Sequence, residues 1–174
     1  KKGSYFDGLT PDIYMAVALG LLCKKVESVQ YPITVSGICP SSGSSASATG
    51  AHTGELKDAP HFRGHDHYDW NPAVLPVYSV ETIWAETALH AWEDFAEDDV
   101  KNYFSKKKLY VRLWRNSPQF RERIIKDAQQ SRISEASLRA SALIETGSNA
   151  IARATRYLTR KAGDVTRHYG VENI

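Results

Sequence analysis

Cysteine is scarce in this chain: two residues, Cys23 and Cys39, occur among 174. Such sparse use fits a reducing compartment better than a disulfide scaffold, so the expectation is a cytoplasmic protein. Long apolar runs are missing as well. The longest extends from Ile13 to Cys23, whereas a membrane-spanning helix needs roughly 20 apolar residues. A surplus of one charge sign is also absent, since 22 Lys and Arg face 20 Asp and Glu for a net charge of +2. Bulk attraction to nucleic acid or to an anionic membrane is therefore not expected. The single methionine is Met15, and the chain opens Lys1-Lys2-Gly3 with no signal-like apolar region. The expectation is that Lys1 is not a natural start and that the chain is a piece of a longer one.

What is present begins with a strong helix start. Thr10-Pro11-Asp12 offers a hydroxyl to cap free N–H groups, a proline preset for the first turn, and an acid that complements the positive helix end. A helix is predicted from Pro11 to about Leu22. Because Ile13 to Leu22 is apolar or small almost throughout, both faces of that helix are expected to be covered. Lys25 to Val29 and Ile33 to Val35 are β-prone runs separated by Tyr31-Pro32 and read as two short strands. Residues 36–76 lack helical or strand periodicity. A loop of that length inside a compact domain is usually functional or disordered.

After Ser79, a capping residue, the positions Val80, Ile83, Trp84, Thr87, Ala88, Ala91, Trp92 and Phe95 follow the helical repeat and predict an amphipathic helix with its aromatics in the core. Further helices are predicted from about Asp98 to Leu113 and, after Ser117-Pro118, from about Gln119 to Ile133. The last stretch, from Glu135 to about Tyr169, reads as helix with a break near Gly147-Ser148-Asn149. The Arg-rich tail, with Arg132, Arg139, Arg153, Arg156, Arg160 and Arg167, reads as a solvated helix face or as a surface packed on a partner subunit.

The segment Gly3-Ser4-Tyr5-Phe6-Asp7-Gly8-Leu9-Thr10-Pro11-Asp12-Ile13-Tyr14 resembles family-two glycosyltransferases of the GT-A fold, bacterial or phage type, at the point where their acceptor helix begins. There an acidic pair starts the helix, and its Asp is the catalytic base of an inverting transfer. In this chain the pair reads Pro11-Asp12, so the resemblance makes Asp12 the candidate base. Such a carboxylate is needed because the acceptor hydroxyl must lose its proton as it attacks the anomeric carbon. The residues alone leave a second reading open, in which Asp12 only stabilises the helix N-terminus.

Tyr31 to Ser45 is similar to the strand and Ser-rich loop that follow this helix in some members. The resemblance thus implies that Ser36, Ser41, Ser42 and Ser44 approach a sugar or phosphate; from bare composition the stronger reading of Ser41 to Gly54 is a mobile linker. His61 to Trp70 mixes histidine, carboxylate and aromatic residues. Arg63, Tyr68 and Trp70 suit sugar rings, although a Trp beside Asn71-Pro72 also suits a loop anchor. His65 and His67 have a His-x-His spacing that can ligate a metal, a weaker signal than repeated Cys-x-x-Cys.

The fold class expected is therefore α/β: a partial GT-A-like lobe with a long active-site loop over residues 1–76, then a mainly α-helical extension over 77–174. The resemblance implies a nucleotide-sugar donor, an unidentified acceptor, and divalent Mn or Mg in the complete enzyme. No Asp-x-Asp metal motif and no donor-binding half occur in the 174 residues. A rival expectation is a non-enzymatic helical module that self-associates through its C-terminal helices. A nucleic-acid-binding tail is a third, opposed by the near-neutral charge.

Overall fold

The structure is a computed structural model that describes residues 7–29, 31, 53–62, 68–96 and 104–162. These are mostly helical. In chain order the helices are α1 (Pro11–Leu22), α2 (Val80–Phe95), α3 (Lys106–Asn116), α4 (Arg121–Gln130) and α5 (Glu135–Ala162). Two short strands, β1 (Thr53–Gly54) and β2 (Tyr78–Ser79), pair antiparallel with Thr53 opposite Ser79. This ladder is the one sheet among the described residues.

The strand expected at 25–29 does not form. Val26 and Val29 are 87% and 62% exposed, and among the described residues no strand edge lies beside this run to bond its backbone or cover its side chains. Residues 33–35 lie outside the described residues. The sheet content of the expected α/β lobe is thus reduced, among the described residues, to the β1–β2 ladder.

Helix α1 starts where the sequence places it, with Pro11 in the first turn and Asp12 beside it. Thr10 does not cap it, however. Its hydroxyl reaches Thr87 on α2 at 3.0 Å, so the residue read as a cap instead joins two helices. Only one face of α1 is packed, through buried Tyr14 and Ala18 against α2. Leu19 and Leu22 are 49% and 51% exposed, because among the described residues no second layer covers the helix's other side.

Helix α2 is the centre of the bundle. Ser79 and Thr82 form a reciprocal capping box, with Thr82 N–H donating to Ser79 Oγ at 3.1 Å and Ser79 N–H donating to Thr82 Oγ1 at 3.0 Å. Buried Thr82, Ile83, Glu86, Thr87, Leu89 and Ala91 wrap most of its circumference, because α1 and α3 both pack against it. The expected stripe is therefore too narrow: Trp84, read as core, is 50% exposed, whereas Glu86 is buried.

The helix expected from Asp98 begins at Lys106, capped by Ser105; residues 97–103 lie outside the described residues. Helix α4 ends in a left-handed Arg132 (φ 58°). Ile133 N–H donates to Ala128 O and Arg132 N–H to Gln129 O, the paired bonds that close a helix when the chain turns left-handed. Helix α5 runs unbroken through Gly147, since the helix tolerates an isolated glycine at a cost of about 1 kcal/mol.

The main core joins Val74, Leu75 and Val77 to Leu89, Leu109, Tyr110, Leu113, Phe120, Ile124 and Leu138. A second cluster holds Leu9, Ala59, Tyr78 and Ile83. Both draw on residues from either side of position 76. Each fully buried aliphatic contributes about 1.5–3 kcal/mol. Lys106 on α3 and Asp127 on α4 form an ion pair at 3.0 Å, and Arg115 ties α3 to Glu145 on α5 at 3.0 Å.

Candidate functional site

The segment ahead of α1 turns tightly onto α2 at Asp7-Gly8. Gly8 has φ +70°, and a Cβ there would meet Thr87 Cγ2 at 3.0 Å. Glycine is thus required both by the backbone conformation and by the close approach. The Gly8 N–H donates to Asp7 Oδ1 at 2.8 Å, which fixes the carboxylate so that its Oδ2 lies 3.6 Å from Nε2 of His90.

His90 and Asp94 are one helical turn apart on α2 and so share a face. Asp94 Oδ2 lies 3.7 Å from the same Nε2. Tyr14, buried on α1, donates its hydroxyl to Asp94 Oδ2 at 2.6 Å. Asp7, His90 and Asp94 each present one ligand-type atom, all within 4.8 Å of one another. The His90 ring contacts those of Tyr14 (centroids 5.9 Å, tilted) and Tyr68 (6.3 Å, near-parallel). Burial, reinforced by the bond to the Asp94 carboxylate, pushes the Tyr14 hydroxyl well above the usual phenol range, so it remains a hydrogen-bond donor.

One turn earlier, Glu86 is buried. It accepts the backbone N–H of Asn71 at 3.1 and 3.2 Å and lies near the hydroxyl of Tyr68. Desolvation outweighs these bonds and raises its carboxyl above the ordinary value. Asn71 also donates through its side chain to Glu93 at 2.9 Å, so a single asparagine staples loop 69–75 onto α2. A cleft of about 230 Å³ remains between them, lined by Asp69, Trp70, Asn71, Glu86, His90 and Glu93. Larger grooves of about 780 and 680 Å³ lie elsewhere, along α3 to α5 and between α2 and α3. Neither touches the Asp7–His90–Asp94 cluster.

The residues singled out in the sequence are distributed unevenly. Asp12 is exposed on the first turn of α1, between Asp7 and Tyr14 in sequence but outside their cluster. Tyr68 is in it, stacked on His90. Trp70 donates its indole N–H to Val74 O at 2.8 Å, the bond expected of a loop anchor. Ser36, Ser41, Ser42, Ser44, Arg63, His65 and His67 lie outside the described residues.

Sequence reading missed Asp7, His90, Asp94 and Glu86. The i, i+4 pairing of His90 with Asp94 was open to it, because α2 is legible as a helix. The approach of Asp7 was not, since it depends on the Gly8–Thr87 packing across the bundle. Comparison of the chain with protein-family models, with curated proteins and with solved structures finds no match.

Proposed function

We propose that this chain is the acceptor-side part of a nucleotide-sugar glycosyltransferase, with Asp12 as the base that accepts the proton of the acceptor hydroxyl. The observation that carries this reading is the coincidence of two features. The stretch that resembles the family, from Asp7 to Tyr14, also supplies Asp7 and Tyr14 to the polar cluster against α2. The start of α1 is therefore held by polar bonds to Asp94 and Thr87, and a carboxylate on its first turn has a fixed base with open access.

In the reaction proposed, the acceptor oxygen attacks the anomeric carbon as its proton passes to Asp12. The bond from that carbon to the nucleoside diphosphate breaks, and the diphosphate leaves with the electron pair. A donor-binding half must supply the nucleotide sugar. The family's Mn or Mg is held by an Asp-x-Asp motif that this sequence does not contain, so no step runs through a metal.

Titration of the 15N-labelled chain with a panel of mono- and disaccharides tests the acceptor side by itself. Saturable shifts at the amides of residues 11–14 are expected. Absence of any saccharide response there would overturn the assignment.

A second reading, a helical assembly module, draws on α5. Its Leu143, Ile144, Ile151 and Tyr157 are 65–74% exposed, and apolar residues grouped on one projecting helix suit packing against a second copy.

A further inference from the structure

The three groups that converge at the end of α2 have the chemistry of a cation site, and their spacing argues against a simple ion pair. A protonated imidazole beside carboxylates draws one of them to about 2.7–2.9 Å. Here Nε2 of His90 is out of solvent without a hydrogen-bond partner, and the two carboxylate oxygens stand back at 3.6 and 3.7 Å. An ion bound at about 2.0–2.2 Å by two ligands at a tetrahedral angle holds those ligands roughly 3.3–3.6 Å apart. The opening between His90 and each carboxylate is therefore the width such an ion needs.

Both carboxylates are already oriented by hydrogen bonds of their own, Asp7 from the Gly8 N–H and Asp94 from the Tyr14 hydroxyl. Outer partners of this kind fix ligand direction in metal sites. The imidazole has the rings of Tyr14 and Tyr68 as neighbours. Asp7, the most exposed of the three side chains at 41%, has room to close onto an ion.

The helix end itself also favours a cation. The last turn of α2 carries Glu93 and Asp94 and no basic residue, so two carboxylates sit at the end where the macrodipole is negative. A cation at His90 and Asp94 offsets both the dipole and the paired acids.

We infer that Asp7, His90 and Asp94 form a site for one divalent first-row transition metal of the zinc class. One imidazole nitrogen and two carboxylate oxygens suit zinc, cobalt or manganese, whereas magnesium favours an all-oxygen octahedral shell. Three protein ligands leave a position for water or another small oxygen ligand, and the partial exposure of the Asp7 side chain gives it access. The inference does not rest on the glycosyltransferase reading. Failure of sugar binding leaves it standing, and failure of metal binding leaves that reading standing.

The test uses the full chain, stripped with a chelator and titrated with Zn²⁺ by calorimetry and with Co²⁺ by visible absorption. One ion per chain is expected, with a cobalt d–d band and a Zn²⁺-induced shift of the His90 Nε2 resonance that excess Mg²⁺ does not reverse. Asp7→Asn should weaken binding at least tenfold, and His90→Gln should abolish it, with helicity unchanged by circular dichroism. If His90→Gln unfolds, Asp7→Asn and the His90 resonance of the unaltered chain decide. Absence of stoichiometric binding, equal binding of Mg²⁺, or binding that survives both substitutions and disappears with His65→Ala/His67→Ala would each overturn the assignment.

Discussion

The hydroxyl of Tyr14 lies 2.6 Å from Asp94 Oδ2, a bond that spans 80 positions of sequence. It ties α1 to α2 at the carboxylate that faces His90, so helix packing and site geometry share one contact. Tyr14→Phe keeps the ring but removes the donor. A hydrogen bond to a charged group contributes about 1.5–3 kcal/mol, and partial access to water lowers that here. A loss of about 1–2 kcal/mol in urea unfolding is the expected outcome; an unchanged midpoint would mean the bond contributes nothing.

Glu86 gives the chain a pH dependence of known sign. Burial raises its pKa above the ordinary 4.5, so the folded chain holds this proton more tightly than the unfolded one. Its contribution is fully present below 4.5 and is lost as pH rises from there through the raised value. Glu86→Gln does not titrate. The stability of the unaltered chain relative to this variant should fall across that window and then level off. A difference that rises with pH would reverse the account of Glu86.

Two backbone positions are open to improvement. Arg132 occupies a left-handed conformation (φ 58°) that strains a side chain, and Arg132→Gly relieves it. Gly147 sits inside α5 with nothing within 4 Å of the place a Cβ would take, and Gly147→Ala stiffens the helix without a clash. Each substitution should raise stability by about 0.5–1 kcal/mol, read as a higher melting temperature. A lower melting temperature for Gly147→Ala would contradict the continuous helix.

The exposed apolar residues of α5 lead to a concentration-dependent expectation. Light scattering at tens of micromolar should show self-association that Ile144→Ser/Ile151→Ser removes. A clean monomer in the unaltered chain would discard the assembly reading and leave the bundle as described.

Much of the helical order is legible in the sequence because its signals are local. Thr10-Pro11-Asp12 marks the start of α1, and Ser79 with Thr82 marks the start of α2. Signals that depend on partners fail. Lys25 to Val29 has strand-forming residues but, among the described residues, no edge to pair with. Gly147 looks like a break because composition does not report that the helix continues on both sides. Glu86 reads as surface, yet it is buried because Asn71 and Tyr68 come to it from a loop. Asp7 carries no signal of its own; it meets His90 through the Gly8 turn against Thr87. Asp12 is the reverse case, a residue that the resemblance marks and that stands exposed on its helix.

The role of Asp12 is measured most directly by sugar transfer in a protein that carries this chain behind a donor-binding half. Asp12→Asn is expected to lower turnover by on the order of 10²–10⁴-fold, the contribution typical of a positioned base, while affinity for the nucleotide sugar stays within about twofold, because only proton removal is lost. Full turnover by Asp12→Asn would contradict that role.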